Sequence, residues 1–254
     1  MATANSFIHK NWEFKDNKAP ISSETTKDQI LDKENIASLP EMFFGDNYVQ
    51  LTHDSNFIIR FDPLDSIVCL KHVPKKEFAK VKYSKNFAAS KFDVLDKNFD
   101  WTFSSPYKGT FKSMSNNKFV DCASLFVETA DIIDIKLLEK RDKILWFSSV
   151  ILFEDELHDN GISVMLTKTR VMDDFFLSLI KLFVRVDDVL FRVKETRIFH
   201  AFNTDYILRE FIEKSETFEQ LSSRGVSRLK AIRINPEDDE DFRIESRSIQ
   251  KIKI

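Results

Sequence analysis

Glycine is scarce in this chain. Only four of its 254 residues are glycine, where an average composition would give about 18. The four stand far apart, as Gly45, Gly109, Gly161 and Gly225. The G-x-G-x-x-G and Walker A loops of nucleotide-binding proteins and the G-x-S-x-G elbow of hydrolases each need at least two clustered glycines. The sequence therefore excludes these motifs, and no cofactor is expected.

Cysteine, net charge and apolar runs are limited too. Cys69 and Cys122 are too few for a disulfide framework or a Cys/His zinc site, and they fit a reducing compartment. The net charge of −3 gives no general attraction for nucleic acid. Polar residues interrupt the longest apolar stretch, 175–186, and residues 1–18 lack the apolar core of a secretory signal. We therefore expect a cytoplasmic protein, also nuclear, without nucleic-acid or membrane partners.

Phenylalanine, in contrast, is abundant, with 25 residues. This much aromatic area implies a large core or an aromatic contact surface. Strand-like runs dominate, and Asn160 followed by Gly161 between two of them predicts a hairpin. Helices are predicted at 23–36, from Asp62-Pro63 onward, and at 206–218. Because helices do not alternate regularly with strands, we predict an α+β fold, a single domain of mainly antiparallel β-sheets with a few peripheral short helices.

Two segments stand outside the predicted domain pattern. We assign 1–221 to one domain, within which the lysine-rich stretch 73–98 is predicted to be an irregular, variable connection. Residues 222–254 are predicted to be a charged C-terminal tail, because apolar residues become sparse and 237–241 are all acidic. A tail of this kind can recruit basic partners, so a scaffold is one hypothesis for the function.

The densest polar cluster contains Glu154, Asp155, Glu156, His158 and Asp159. Carboxylates and a histidine can bind a divalent metal or perform acid–base chemistry. On a strand, however, Glu154 and Glu156 point to one side and Asp155 to the other. The spacing also matches neither H-E-x-x-H nor an EF-hand loop. Two interpretations remain: a solvated hairpin end, or a metal-dependent hydrolase that uses Glu154, Glu156, His158 and Asp159.

Three stretches of distinctive sequence follow one another along the chain. They are 38–47 (SLPEMFFGDN), 100–103 (DWTF) with 107–110 (YKGT), and 152–161 (LFEDELHDNG) followed by 170–172 (RVM). Together they resemble the TIPRL family, regulators of TOR signalling that bind type 2A protein phosphatases. The resemblance extends from about residue 12 to about residue 211 and is weak over 73–98 and after 221.

This resemblance implies a non-enzymatic regulator with an α+β fold. Family members bind the catalytic subunits of the type 2A phosphatases (types 2A, 4 and 6) and act in TOR signalling with the Tap/alpha-type phosphatase-associated protein. Four positions correspond to partner contacts of the family: Asp65, Ile133, Val193 and Glu195. At positions 193 and 195 relatives can carry Met and Asp, so here the chemical types are kept while the side-chain lengths differ.

Overall fold

Two antiparallel β-sheets pack face to face. The computed structural model describes residues 3–79, 99–134, 136–137, 142–239 and 242–254, so the predicted connection over 73–98 lies outside the described residues from position 80 onward. Within the described ranges, the strands form one sheet of six and one of eight. The prediction of an α+β domain built mainly from antiparallel sheets is confirmed.

The six-stranded sheet comes from the N-terminal half of the chain. With strands numbered along the chain, its spatial order is β1 (Thr3–His9), β2 (Trp12–Lys18), β4 (Tyr48–His53), β5 (Phe57–Phe61), β6 (Thr110–Ser115) and β7 (Lys118–Asp121). The turn between β4 and β5 is closed by a hydrogen bond of 2.9 Å from the Asn56 N–H to the His53 carbonyl. Asn56 has a φ of +63°, which Asn tolerates better than most residues.

The eight-stranded sheet contains the longest strands. Its spatial order is β3 (Met42–Phe43), β9 (Trp146–Asp155), β10 (Gly161–Val171), β11 (Phe175–Val186), β12 (Leu190–Ala201), β13 (Tyr206–Thr217), β14 (Arg243–Lys253) and β8 (Val127–Glu128). Strands β9 to β13 follow one another as hairpins, whereas β3 and β8 are added from earlier parts of the chain. The last strand, β14, therefore inserts between β13 and β8.

The main core lies between the two sheets and is rich in aromatic rings. Trp12 and Phe14 of β2 meet Phe176 of β11 edge-on, with ring centroids 4.9 and 5.5 Å apart. Edge-to-face contacts of this kind are a favoured arrangement of aromatic pairs. Eight of the largest fully buried side chains are phenylalanines. Much of the phenylalanine surplus is thus used in the protein interior.

Four short α-helices lie among the described residues: α1 (Glu24–Glu34), α2 (Pro63–Val68), α3 (Phe218–Ser223) and α4 (Arg228–Ala231). The Ser23 hydroxyl caps α1 by accepting from the Thr26 N–H at 3.2 Å. Asp62 caps α2, where its carboxylate accepts from the Leu64 N–H at 3.0 Å and Pro63 occupies the first helical position. Both predicted helix starts are confirmed. None of these helices is long and apolar enough to cross a membrane.

The hairpin predicted at Asn160-Gly161 joins β9 to β10. The bend itself is made by 157–159, which all have positive φ. Gly161 is instead the first residue of β10, with a φ of +144°, and a Cβ there would lie 1.9 Å from the Arg185 carbonyl oxygen. The glycine is therefore required because β11 approaches this position closely.

Two predictions are wrong. The segment 206–218, predicted as a helix, forms strand β13. Its Ile207 packs into the main core, whereas Leu208 packs into a separate cluster on the other side of the sheet. A strand that is buried on both sides loses the alternation of apolar and polar residues that identifies strands in a sequence.

The segment 222–254, predicted as a charged tail, contains α4 and the strand β14. Its polar side chains face solvent or pair with the sheet, and the Arg247 guanidinium contacts the Glu210 carboxylate at 2.5 Å. Strand β14 forms because β13 offers it a backbone edge, which the local sequence does not reveal.

Candidate partner-binding surface

The outer face of the eight-stranded sheet is the side directed away from the six-stranded sheet. Because side chains alternate along a strand, β12 sends Ile198 into the main core and Val193 to the outer face. The strand register then places Lys181 of β11 beside Glu195, and Glu210 of β13 beside Arg197, on this same face. Charged side chains therefore occupy the middle of this face.

A C-terminal cover lies on one part of the outer face, and we use this name for residues 218–239 with Phe242. Helix α3 begins with a capping box, in which the Thr217 hydroxyl and the Gln220 side chain bond each other's backbone N–H groups at 3.1 and 2.7 Å. The Phe191 ring lies 4.9 Å from that of Phe218 and 5.1 Å from that of Phe242. These contacts build an apolar cluster that is separate from the main core.

A chain of ion pairs joins the cover to the sheet. The Asp239 carboxylate accepts from Lys181 at 2.6 Å and from Lys214 at 3.0 Å. The chain continues with the pairs Lys181–Glu195 (3.7 Å), Glu195–Arg197 (2.5 Å), Arg197–Glu210 (3.3 Å) and Glu210–Arg247 (2.5 Å). Burial by itself raises the pKa of Asp239, but the hydrogen bonds and charges of the two lysines outweigh it and lower that pKa. Loss of one member would leave buried charges unpaired.

Three of the four residues carried over from the family resemblance lie on the outer face. Val193 and Glu195 are only 0% and 4% exposed, since Val193 packs against the cover and Glu195 pairs with Lys181 and Arg197. Ile133 is 6% exposed and packs in another cluster that contains Phe199. Phe199 lies six residues, or about 20 Å, from Val193 along β12. The three residues share a face but form no single contact cluster.

Asp65 lies elsewhere, on α2 beside the six-stranded sheet. It is half-buried, and its carboxylate accepts from the Thr110 hydroxyl at 2.5 Å. Tyr107, whose pKa is raised by burial, bonds the same hydroxyl at 2.9 Å. The structure therefore does not bring Asp65 together with the other three residues.

The acidic cluster at 154–159 does not assemble a metal site. One Asp155 oxygen accepts from the Glu41 N–H at 2.9 Å and the other from the Leu157 N–H at 2.7 Å. Burial, and then the nearby Glu156 charge, raise the pKa of Glu154. In the part of the chain that the structure describes, no group of three His, Cys, Asp or Glu side chains could hold a metal ion. The geometry favours the hairpin-end interpretation over the hydrolase.

Parts of the three distinctive stretches of sequence, from 38–47, 100–103 and 152–161, meet at one corner of the molecule. Strand β3 pairs with β9, placing Met42 opposite Glu154. The Phe103 ring lies 6.3 Å from that of Phe153. Residues of 38–47, 100–103 and 152–161 line a surface cavity of about 310 Å³ there; they include Leu39, Glu41, Trp101, Phe103, Asp155 and His158.

Within this corner the second stretch forms a buried polar loop. The Asp100 carboxylate accepts from the Thr102 N–H at 3.0 Å and from its hydroxyl at 2.6 Å. Phe103 has a φ of +51°, which is strained for a bulky residue. Lys194 of β12 donates to the Ser104 carbonyl at 3.3 Å, and burial lowers the pKa of this lysine. The loop thus ties the eight-stranded sheet to the segment that precedes β6.

Sequence reasoning missed the cover and the chain of ion pairs. One signal was present, since Lys181 interrupts the apolar run 175–186 at a position that faces outward. A charged residue inside such a run is rarely buried without a partner. Its partner Asp239 lies in the acidic run 237–241, which by composition alone is typical of a solvated tail.

Comparison with known proteins extends over most of the chain. A sequence model of the TIP41-like family matches residues 42–222. A human TIP41-like protein is 34% identical, with 85% of this chain and 78% of that protein covered. A protein of Schizosaccharomyces pombe named type 2A phosphatase activator tip41 is 28% identical (87% and 86% covered). Its counterpart in Saccharomyces cerevisiae, with the same kind of name, is 33% identical (84% and 64% covered).

Proposed function

The chain belongs to the TIP41-like family, and from this premise we propose that it is a non-enzymatic regulator of type 2A protein phosphatases. In this proposal it binds the phosphatase catalytic subunit (types 2A, 4 and 6) and changes its activity or its assembly within TOR signalling. The Tap/alpha-type phosphatase-associated protein is a further proposed partner.

The observation that carries the proposal is the extent of the family match together with the names of two relatives. The matched range 42–222 begins at β3 and ends in α3, so it includes strands of both sheets. Both yeast relatives are named type 2A phosphatase activators. The match therefore includes seven of the eight strands of the sheet that carries the outer face, all except β14.

The use of the polar motif residues supports binding over catalysis. Asp155 and Asp100 both accept hydrogen bonds from nearby backbone N–H groups, which makes them parts of the scaffold. General acids and bases, in contrast, need an oxygen or nitrogen that can reach a substrate proton. A large sheet face with charged and apolar side chains is a more natural contact surface for another protein.

Among the proposed contact residues, Asp65 is the accessible one and is tested first, together with Ile133, which is 6% exposed but does not pack against the C-terminal cover. Val193 packs against the cover, and Glu195 is buried in the chain of ion pairs. Asp65 is half-buried and carries a carboxylate that a basic group of a partner can approach. Its charge reversal changes electrostatic complementarity without removing apolar packing.

Calorimetric titration of the full chain with a purified type 2A catalytic subunit tests the proposal. We expect binding by the unmodified chain and weaker binding by Asp65→Lys and by Ile133→Ala. Asp32→Lys on α1 is the matched control, because Asp32 is an exposed carboxylate on a peripheral helix. Thermal melting of each variant separates lost contacts from lost folding.

The outcomes separate the two levels of the proposal. No heat from the unmodified chain contradicts phosphatase binding as such. Full binding by folded Asp65→Lys and Ile133→Ala contradicts only the assignment of these two residues. Heat on titration with Mg²⁺, Mn²⁺ or Zn²⁺, together with phosphoester hydrolysis, would instead support the hydrolase alternative.

A further inference from the structure

The outer face carries an uncovered apolar area on β9, β10 and β11. Phe147 and Ile151 are 53% and 40% exposed, and Leu166 and Leu179 are half-buried beside them. Register places Ile151 opposite Leu166. We call these four residues the open strip. Large apolar side chains grouped on one sheet face are a frequent feature of interaction sites.

Two basic side chains border the open strip. Arg170 stands opposite Phe147, and Lys168 stands opposite Leu179. Across the described ranges of the chain, Arg170 has no ion-pair partner. The carboxylates in the middle of this face, Glu195 and Glu210, are both paired with Arg197. A partner that covers the open strip therefore meets uncompensated positive charge.

The C-terminal cover shows which kinds of side chain bind to the outer face. Glu237 of the cover contacts Lys168 at 2.5 Å, at the border of the open strip. Two residues further, Asp239 is held by Lys181 and Lys214, while Phe242 inserts into the apolar cluster. An acidic stretch with an aromatic residue thus already occupies the neighbouring part of the face. The basic and apolar pattern continues beyond it over Arg170 and Phe147.

We propose that the open strip binds a segment of a partner protein in which carboxylates accompany apolar side chains. The apolar side chains would cover Phe147 and Ile151, and a carboxylate would pair with Arg170. The arrangement would continue the contacts that Glu237 and Asp239 make on the adjacent surface. The proposal concerns a surface that none of the four residues carried over from the family resemblance occupies.

Fluorescence anisotropy with labelled peptides tests this surface. The probe is a short peptide of alternating Leu and Glu, compared with one of alternating Leu and Lys and one of alternating Ser and Glu. We expect the Leu/Glu peptide to bind the full chain most tightly, because only it supplies both the apolar side chains and the complementary charge. Vesicles of anionic phospholipid serve as a separate probe, since they too present negative charge.

Variants then locate the binding. Phe147→Ser combined with Arg170→Glu should weaken binding of the Leu/Glu peptide by about tenfold or more, as loss of a central contact does. Leu229→Ser is the matched control, because Leu229, which is 64% exposed, is another largely exposed apolar residue and lies on α4 of the cover. Equal binding of the Leu/Lys peptide, unchanged binding by the double variant, or binding to the vesicles alone would each overturn the proposal.

Discussion

The covered part of the outer face and the open strip share strands β10 and β11, but one is buried and the other is exposed. Under the cover, Phe183 and Phe191 are fully buried, and Lys181 has its charge neutralised by Asp239. A few residues away, Phe147 remains exposed and Arg170 stands beside it. The strands alone do not decide which part of the face is buried. Because the C-terminal cover packs over one part of the face, that part is buried. The other part remains accessible to a partner.

The largest effect on stability is expected from removing one ring of the aromatic cluster under the cover. Phe191→Ala should lower the free energy of unfolding by about 3–5 kcal/mol, because it creates a cavity between Phe218 and Phe242. Urea denaturation measures this value. Phe119→Ala on the exposed edge strand β7 is the matched control, since Phe119 is 47% exposed. Equal losses in the two variants would contradict the structural role of the cover.

The next effect is expected from breaking the chain of ion pairs. Asp239→Ala leaves Lys181 and Lys214 without their shared carboxylate, which should cost about 3 kcal/mol. We expect the loss to appear as faster hydrogen exchange and faster proteolysis within 218–239. Glu237→Ala is the control, because its carboxylate is exposed. Unchanged protection of the cover in Asp239→Ala would show that the aromatic cluster alone holds it.

A smaller effect on stability is expected when a histidine in the main core is protonated at low pH. Burial lowers the pKa of His200, which lies 5.3 Å from the Trp12 ring between the two sheets. Above pH 6.5 this histidine is neutral in both the folded and the unfolded chain. As the pH falls through 6.5 the unfolded chain binds the proton first, so stability decreases until the lower folded pKa is reached.

Urea denaturation at pH 7 and pH 5 checks this expectation. The free energy of unfolding should be lower at pH 5, and His200→Gln should lose part of that dependence. Because this region is far from the cover, Asp239→Ala should keep the dependence that comes from His200. An identical pH dependence with and without His200 would contradict the assignment.

The smallest effect is expected in the open strip. Phe147→Ala should change the free energy of unfolding by no more than about 0.5 kcal/mol, because its ring is already largely in water. Urea denaturation beside Phe191→Ala measures the difference directly. A loss of several kcal/mol would mean that Phe147 is part of the core, and the contrast between the two parts of the face would disappear.

Local elements were predictable because their causes are local. Asp62 followed by Pro63 predicts the start of α2, since the carboxylate caps the helix and proline fits its first turn. The hairpin at Asn160-Gly161 was also predicted. The reason for Gly161 was not, because its close contact is with the Arg185 backbone of another strand. Its identity reflects a neighbour 24 residues away along the chain.

The strand β13 and the structure of the segment 222–254 could not be predicted from local sequence. Alternation fails on β13 because both of its sides are buried, and on the outer side Asp239 and Arg247 from later in the chain pair with its Lys214 and Glu210. The acidic run 237–241 has the composition of a solvated tail. Its Asp239 is nevertheless buried, because Lys181 and Lys214 stand on one face of a sheet that forms from distant segments.

The sequence by itself determined the class of fold, the absence of glycine-rich catalytic loops, the helix caps and the family resemblance, since each depends on composition or on residues close together in the chain. Only the tertiary structure decided which charged residues are paired, which of the proposed contact residues are accessible, and where apolar surface remains open. These properties depend on strand register and on the path of the C-terminal segment. Both are set by contacts between residues far apart in sequence, which no local pattern records.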